Sequence, residues 1–286
     1  MSDKETRTLE RIEGVSIIGN SEASSLSQPQ ASAVLRLDNV NKVYGSGKHA
    51  KTIIGGVSLS VREGEFVSVI GPSGSGKSTL FRLIGGLEAP TAGTIELEGK
   101  AAGDGERGRI AYMPQQSSLL QWKTVEANIE LALTIAGVDR SEARALVQQW
   151  LPRVGLADYA QAYPHVLSGG MQQRVSFLRA LLSPQRLMCL DEPFGSLDAL
   201  TRIHMQQWLL SLWEADRRSV LFVTHSIEEA VFLSDRIIVL SASPSVVLQE
   251  FEVPFPRPRA GSIRNQAAFN ELESEIYALL DNNSMH

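Results

Sequence analysis

The stretch that decides the fold is GPSGSGKST, Gly71 to Thr79, which follows the apolar run EFVSVI and precedes STLFRLIGGL. The first run is short and β-branched, as in a buried strand, and the second favours a helix. A glycine-rich loop between a strand and a helix lets successive backbone N–H groups point at phosphate oxygens. The helix that begins near Lys77 adds the positive end of its dipole. This context disfavours a chance glycine-rich turn, and the stretch predicts a nucleotide phosphate site.

Every residue of this phosphate loop is a candidate nucleotide contact: Gly71, Pro72, Ser73, Gly74, Ser75, Gly76, Lys77, Ser78 and Thr79. The Lys77 ammonium is expected to reach the β- and γ-phosphates, and to be solvated when no phosphate is bound. The Ser78 hydroxyl is expected to ligate Mg²⁺. The pattern therefore predicts ATP and Mg²⁺ as the bound species.

A second acidic motif, LMCLDEP from Leu187 to Pro193, ends an apolar strand in two carboxylates. At the carboxyl edge of a parallel sheet such a strand end lies beside the phosphate loop. Asp191 is then expected to hold the Mg²⁺ shell, and Glu192 to polarise an attacking water. The alternative, an ordinary acidic cap at a strand end, becomes the weaker interpretation once a phosphate loop precedes it.

The distribution of strand-like and helical runs predicts the fold class. VLRLDNVNKVY and GVSLSVR alternate as in a half-buried sheet, whereas RLMCLD, SVLFVTH and DRIIVL are fully apolar, as in buried parallel strands. The sequence between about Ser117 and Ser183 is helical throughout. We therefore predict an α/β P-loop NTPase with a mainly parallel core sheet, an antiparallel β subdomain and a helical insert that carries LSGGMQQR.

The domain boundaries follow from shifts in composition. Residues 1–32 are polar and predict a disordered arm, residues 33–260 an ATP-binding domain with the helical insert at about 117–183, and residues 261–286 a C-terminal helix and tail. In that helix Phe269, Leu272, Ile276 and Leu279 share one apolar face.

Composition narrows the function class. The 286 residues carry a net charge of −5, which argues against a nucleic-acid partner. The single cysteine, Cys189, lies in an apolar run and is expected to pack in the core. No apolar run reaches the ~18–20 residues that span a bilayer, so we expect a soluble, intracellular chain whose membrane link is a partner.

The motif LSGGMQQR, Leu167 to Arg174, narrows the class further. Ser168, Gly169 and Gly170 begin a helix and offer backbone N–H groups to an anion, although the chain already has a phosphate loop. Here the sequence resembles the ATP-binding-cassette (ABC) family, whose signature reads LSGGQ. In that family the signature, including the position of Gln172, serves ATP held by the opposite subunit, which implies a homodimer. The alternative is a plain Ser-Gly-Gly helix cap.

The resemblance assigns two residues near the adenine and the metal. Tyr44, before a glycine, matches the aromatic that stacks on adenine, with a plain core aromatic as the rival interpretation. Gln115 matches the glutamine that links the γ-phosphate and the metal to the helical insert. Two departures affect this assignment, because Pro114 replaces the commoner aromatic and Gln116 follows directly.

It also assigns two residues in later loops. Asp198, in GSLD, matches the acid of the loop that crosses the dimer interface. His225, at the end of SVLFVTH, matches the switch histidine that contacts the γ-phosphate. Ser226 stands where the family usually has Asp. With Glu192 and Gln115, His225 completes the predicted catalytic set.

A finer resemblance is to the ATPases of nitrate, sulfonate and taurine importers. It rests on LLQWKTVEANIELAL, on THSIEEAVFLSDRIIVLSASP and on PFPRPR, with Gln121 standing where that group has Pro. It implies a polytopic membrane permease as partner and a periplasmic or lipid-anchored substrate-binding protein as an indirect one. The chain would then be peripheral to the cytoplasmic face of the membrane. A docking patch for the permease is expected on the helical insert at Leu119, Leu120 and Trp122, and the alternative is that they only pack the insert. An exporter or lipid-transport ATPase is the alternative, followed by a soluble non-transport ABC ATPase.

Overall fold

Two β-sheets form the framework of the protein, and the computed structural model describes residues 33–102 and 108–284. The predicted arm at 1–32 lies outside the described residues. The larger sheet has six strands in the order β10-β9-β3-β8-β7-β6. Five of them are parallel, and β10 runs antiparallel to β9 at one edge. These strands are β3 (Phe66–Ile70), β6 (Ala111–Met113), β7 (Leu187–Asp191), β8 (Ser219–Val223), β9 (Arg236–Leu240) and β10 (Val247–Glu252).

The smaller sheet is antiparallel and has the order β2-β1-β4-β5. Its long strands β1 (Ala33–Tyr44) and β2 (Lys51–Arg62) form a hairpin, and β4 (Ala92–Leu97) and β5 (Lys100–Ala101) extend it. This sheet presents the end of β1, with Tyr44, toward the helix that follows the phosphate loop, because Arg82 of that helix reaches the Tyr44 hydroxyl.

Seven α-helices lie in the described residues: α1 (Lys77–Ile84), α2 (Val125–Ile135), α3 (Arg140–Trp150), α4 (Gly169–Leu181), α5 (Ala199–Asp216), α6 (Ile227–Leu233) and α7 (Ala267–Ser284). Helices α2, α3 and α4 pack on one another around their own apolar cluster, which includes Ile129, Val147 and Val175. They occupy the part of the chain that the sequence predicts to be a helical insert.

The central strands β3, β7, β8 and β9 are buried along their whole length, which explains why they are mainly apolar. Successive residues alternate between two hydrophobic clusters. Met188 and Leu190 face the cluster that includes α5, α6 and α7, whereas Leu187 and Cys189 face the cluster shared with α1 and the antiparallel sheet. Burial on both faces fixes the register of these strands, and with it the position of every loop at their carboxyl ends.

The predicted fold class is confirmed: an α/β P-loop NTPase with a mainly parallel core, an antiparallel sheet and helices. Four strands are absent from the prediction: β4 and β5 of the antiparallel sheet, and β6 and β10 of the core sheet. Strands β5 and β6 have only two and three residues, and β4 and β10 mix polar with apolar residues, so none has the length or the apolarity that marks the central strands.

The predicted C-terminal helix corresponds to α7. Phe269 and Ile276 are fully buried against the core cluster, and Leu272 and Leu279 pack beside them. Across residues 33–102 and 108–284 no helix has both the length and the apolarity needed to cross a bilayer.

Candidate nucleotide site

Four neighbouring parallel strands deliver the candidate residues to one edge of the core sheet. β3, β8, β7 and β6 lie side by side, and the phosphate loop, His225, Glu192 and Gln115 follow their carboxyl ends. Ligands of open α/β sheets bind at this edge, because the loops there meet in a crevice. Residues separated by more than a hundred positions in the chain are thereby brought together.

The phosphate loop depends on glycines at two positions. Gly74 and Gly76 have φ angles of 80° and 89°, a left-handed conformation that side chains other than glycine rarely adopt. At Gly76 a Cβ atom would also lie 2.8 Å from the Ile53 Cγ2 atom. Gly76 is the N-cap of α1, so the turn that aims the first N–H groups of the helix into the loop needs glycine there.

Lys77 holds the loop in shape from the inside. Its Nζ atom donates to the carbonyl oxygens of Gly71 at 2.8 Å and Pro72 at 2.9 Å, and lies 3.3 Å from the Ser75 hydroxyl. The side chain is 8 % exposed, so the expectation that it is solvated without phosphate is wrong. Burial lowers the pKa of Lys77, and the charges of Glu192 and Asp191 oppose that shift. The two carbonyl oxygens accept hydrogen bonds from the Lys77 ammonium in this structure, and phosphate oxygens could replace them as acceptors.

The oxygen atoms around Asp191 suit a hard divalent cation. Asp191 is 2 % exposed, and burial raises the pKa of its carboxyl group, against a hydrogen bond from Ser78 that lowers it. A buried carboxylate bonded to a hydroxyl at a phosphate loop is a donor set that Mg²⁺ prefers, since Mg²⁺ takes oxygen ligands together with substrate phosphates. The residues present therefore fit the predicted metal.

The three predicted catalytic residues meet at one carboxylate oxygen. Gln115 Nε2 donates to Glu192 Oε2 at 3.0 Å, and His225 Nδ1 lies 3.3 Å from the same atom. The Glu192 backbone has a φ angle of 47°, and its N–H donates to the Val223 carbonyl oxygen at 2.9 Å. Left-handed conformations of non-glycine residues cluster at functional sites, where surrounding contacts enforce them.

A further residue at this site, Gln173, is not predicted from the sequence. It is 4 % exposed, its Nε2 atom donates to the Glu192 carbonyl oxygen at 3.1 Å, and its Oε1 atom accepts from the Ser196 N–H at 3.3 Å. The Ser196 hydroxyl also donates to it. A buried glutamine inside a helix predicts a polar partner but does not reveal which one. Its amide binds both ends of the Glu192–Ser196 loop.

Tyr44 is half-buried, at the end of β1. Its hydroxyl donates to Glu88, and Arg82 Nη2 donates to that hydroxyl at 3.2 Å and to Thr79 Oγ1 at 3.2 Å. Lys42 Nζ lies 5.0 Å from the ring centroid. Arg82 thus connects the tyrosine to the last residue of the phosphate loop. Stacking of Tyr44 on adenine stays a prediction.

Comparisons with known proteins identify the family of the chain. A sequence model of the ABC transporter family matches residues 54–195. The formylaminopyrimidine import ATP-binding protein ThiZ of Halalkalibacterium halodurans is 41% identical over 88% of this chain and 98% of its own length. The chain belongs to the ABC transporter ATPase family. Its enzymatic class is that of an ATPase, and it binds ATP.

Two further relatives of this ABC ATPase are informative. The aliphatic sulfonates import ATP-binding protein SsuB 1 of Mesorhizobium japonicum is 45% identical over 83% of this chain and 84% of its own length. The dimeric post-hydrolysis structure of the ATP-binding cassette MJ0796, bound to ADP and Pi, superimposes with a TM-score of 0.71 at 33% identity. That match covers 78% of this chain and all of MJ0796. The resemblance to the importer group is therefore confirmed.

The signature residues of the ABC ATPase form the start of α4. Ser168 is the N-cap, and its hydroxyl accepts from the Met171 N–H at 3.3 Å, while Gly169 and Gly170 form the first turn. Gln172 turns inward: it donates to the Pro164 carbonyl oxygen at 3.0 Å and accepts from the Ser117 hydroxyl at 3.1 Å. Its contact with nucleotide stays a prediction, but its amide oxygen holds the loop that follows Gln115 through Ser117.

Asp198 is the N-cap of α5. Its carboxylate accepts from the Thr201 N–H at 3.0 Å, and hydrogen bonding to Thr201 lowers the pKa of this exposed acid. Within residues 33–102 and 108–284, no hydrogen bond or ion pair joins Asp198, Ser168, Gly169 or Gly170 to the phosphate loop of the same chain.

Two other expectations are settled in this region. Ser226, which replaces the family's usual Asp, caps α6 by accepting from the Glu229 N–H at 3.2 Å, a role that Asp performs equally well. In the predicted docking patch Trp122 is 73 % exposed, but Leu119 is 7 % exposed and packs in the core of the insert. The prediction for Leu119 is wrong, because it contacts α2, α3 and α4 instead of solvent.

Proposed function

We propose that two copies of this ATPase clamp two ATP molecules and hydrolyse them to drive solute import. The observation that carries the proposal is the convergence of Gln115 and His225 on Glu192 Oε2, beside the phosphate loop. A carboxylate that only caps a strand end does not need an amide and an imidazole from the loops after neighbouring strands. A carboxylate that orients a water molecule next to a γ-phosphate needs such partners to hold it in place.

Nucleotide binding is assigned to the phosphate loop and to Tyr44. The backbone N–H groups from Gly74 to Thr79 hold the phosphates, and the Lys77 ammonium moves from the Gly71 and Pro72 carbonyl oxygens to them. The Tyr44 ring stacks on adenine, and Arg82 and Glu88 fix its hydroxyl. ATP thereby joins the antiparallel sheet to the core sheet.

The metal is assigned to Ser78, Asp191 and Gln115. Mg²⁺ held there would neutralise charge on the phosphate oxygens. Gln115 would contribute its carbonyl oxygen, because its Nε2 atom already donates to Glu192. Asp191 is buried at the end of β7, so its carboxylate gains most from a cationic partner.

Hydrolysis is assigned to Glu192 with His225. The Glu192 carboxylate orients the attacking water and accepts its proton, and His225 contacts the γ-phosphate. Gln115 couples binding of the γ-phosphate to the position of the helical insert, because the loop after Gln115 leads to α2. Removal of the γ-phosphate releases these contacts together.

The clamp requires a second copy of the chain. Ser168, Gly169 and Gly170 begin α4 with N–H groups and a positive dipole end, and the phosphate loop of the same chain already has α1. We assign the α4 start, with Gln172 and the Asp198 loop, to the ATP bound by the partner. A C2 dimer then contains two identical composite sites.

The coupled process is assigned as import of a small anion such as a sulfonate, taurine or nitrate. The similarity to an aliphatic-sulfonate import ATPase supports the anion, and the similarity to a formylaminopyrimidine import ATPase supports import. The subunit would bind a polytopic permease from the cytoplasmic face through a surface that includes Trp122. A substrate-binding protein would deliver solute on the other side.

The test is uptake by the complete transporter. The ATPase, its permease and its binding protein, reconstituted in ATP-loaded vesicles, should accumulate labelled taurine or an alkanesulfonate in competition with nitrate. A complex with Glu192→Gln should not. Accumulation of a formylaminopyrimidine, with all three anions ignored, would contradict the anion assignment while leaving import intact.

A further inference from the structure

Both neighbours of His225 are held by the buried residue Glu229, Thr224 through the Glu229 carboxylate and Ser226 through the Glu229 backbone N–H. Thr224 is 1 % exposed, and its hydroxyl donates to Glu229 Oε2 at 2.5 Å while it accepts from the Ser226 N–H at 3.0 Å. Glu229 in turn donates its backbone N–H to the Ser226 hydroxyl. The peptide units before and after His225 are therefore fixed through Glu229, which is itself 6 % exposed.

The Glu229 carboxylate is held from outside its own helix. Gln206 of α5 is 3 % exposed, and its Nε2 atom donates to Glu229 Oε1 at 3.1 Å. Arg264, which precedes α7, donates from Nη2 to Gln206 Oε1 at 2.8 Å. The Arg264 guanidinium also donates to Glu228 at 2.6 Å and lies 3.6 Å from the Phe232 ring centroid, so it grips α6 at two further points.

The hydrogen bonds have a fixed direction. Arg264 can only donate, so Gln206 must turn its oxygen toward Arg264 and its NH₂ group toward Glu229. The carboxylate then accepts from Gln206 on one oxygen and from Thr224 on the other. Burial raises the pKa of Glu229, and the hydrogen bonds from Thr224 and Gln206 oppose that shift. A half-satisfied version of such a buried network would be costly, so its members act together.

From this connectivity we propose that Arg264, Gln206, Glu229 and Thr224 form a relay that positions the His225 imidazole over the catalytic carboxylate. They are positioning residues, since none of them touches Glu192. Gln206 lies on α5, which begins at Asp198, and Arg264 belongs to the segment before α7. Through the relay, the orientation of the His225 imidazole depends on the positions of the Asp198 loop and the C-terminal segment. The inference rests on the role proposed for His225.

The experiment uses the full chain and compares two arginines of the C-terminal segment. Arg264→Leu removes the outer end of the relay at a half-buried position. Arg257→Leu is the matched control, because Arg257 holds the same segment through Asp235, the Leu233 carbonyl oxygen and the Trp213 ring. Thr224→Val, an isosteric change that removes the hydroxyl, breaks the inner end, and Thr224→Ser returns the hydroxyl. Melting temperatures, steady-state ATP hydrolysis and the imidazole NMR signals, assigned with His225→Ala, are measured for each chain.

The relay predicts that Arg264→Leu shifts the His225 signal and that Arg257→Leu does not, at similar losses of melting temperature. It predicts that Thr224→Val lowers kcat by about tenfold to a hundredfold with KM within about twofold, because misplacement of a group that acts in the transition state affects the chemical step. Thr224→Ser should restore most of that loss.

Two results distinguish failure of the relay from failure of the catalytic role proposed for His225. An unchanged His225 signal in Arg264→Leu, or equal shifts in both arginine variants, would overturn the relay whatever His225 does in catalysis. If instead the signal moves as predicted while His225→Ala keeps full activity, the relay stands as a positioning device, and the catalytic role proposed for His225 is wrong.

Discussion

Gln173 donates a hydrogen bond to the backbone carbonyl oxygen of Glu192 at 3.1 Å, which ties helix α4 to the catalytic loop. Helix α4 begins with the signature residues that we assign to the partner's ATP. The same glutamine accepts from Ser196, two residues before Asp198. One buried amide therefore links the three parts of the site that must respond together when a dimer closes.

Gln173→Leu should lower kcat by about tenfold and leave ATP affinity nearly unchanged, because it frees the Glu192–Ser196 loop without touching the phosphate loop. Steady-state hydrolysis and fluorescent-nucleotide binding measure the two effects. Gln185→Leu is the matched control, since Gln185 also bridges a serine hydroxyl and a backbone carbonyl, at Ser183 and Gly108. Equal kcat values in the two variants would contradict a role of Gln173 in positioning the Glu192–Ser196 loop.

Tyr44→Ala should weaken ATP binding by about tenfold, which corresponds to the loss of one aromatic stacking contact with a base. Tyr44→Phe keeps the ring and loses only the bonds to Glu88 and Arg82, so its dissociation constant should rise far less. Equilibrium titration with ATP decides between stacking and the rival interpretation of a packing residue. A Tyr44→Ala chain that is less stable but binds ATP as tightly as the unchanged chain would favour the rival.

Lys77→Ala should abolish tight MgATP binding and also lower stability without nucleotide. The carbonyl oxygens of Gly71 and Pro72 lose a charged donor, a change of about 1–3 kcal/mol in the free energy of unfolding. Lys51→Ala, at an exposed lysine of β2, is the control and should change neither property. A folded Lys77→Ala chain that retained nucleotide affinity would contradict the assignment of the loop.

Cys189 should be inert to thiol reagents in the native protein. The side chain is fully buried, and burial raises the pKa of its thiol, so the reactive thiolate is scarce. Its modification by Ellman's reagent should require unfolding and should slow further when MgATP is added, since ligands that bind only the native state oppose opening. Fast modification of the native chain would place Cys189 outside the core.

The sequence predicted the site where the chemistry itself needs particular residues at fixed spacing. The phosphate loop is determined by the left-handed φ angles of Gly74 and Gly76, and Asp191 by its place at the end of a buried strand. The carbonyl oxygens that accept from Lys77 and Gln173 are not predictable from the sequence, because backbone partners are supplied by the fold. The relay behind His225 joins Arg264, Gln206 and Thr224, which lie far apart in the sequence, so no local sequence pattern predicts it.

Two glycines at the start of α4 differ in the space around them, which decides the variant that best tests the clamp. At Gly170 an added Cβ would lie 3.2 Å from the Leu197 Cδ2 atom, so a substitution there mixes steric strain with charge. At Gly169 an added Cβ meets no described atom within 4 Å. Gly169→Asp and Gly169→Asn therefore form a pair that differs in charge at the start of α4 and not in crowding.

The most direct test of the two-subunit clamp is the size of the Glu192→Gln chain on size-exclusion chromatography with ATP. The amide removes the base but keeps the shape, so ATP should persist uncleaved and hold a dimer that ADP does not support. Adding Gly169→Asp should abolish the dimer, because a carboxylate then faces the partner's γ-phosphate, while each chain still binds ATP. Adding Gly169→Asn should preserve it. An ATP-dependent dimer of equal stability in all three chains would contradict the clamp.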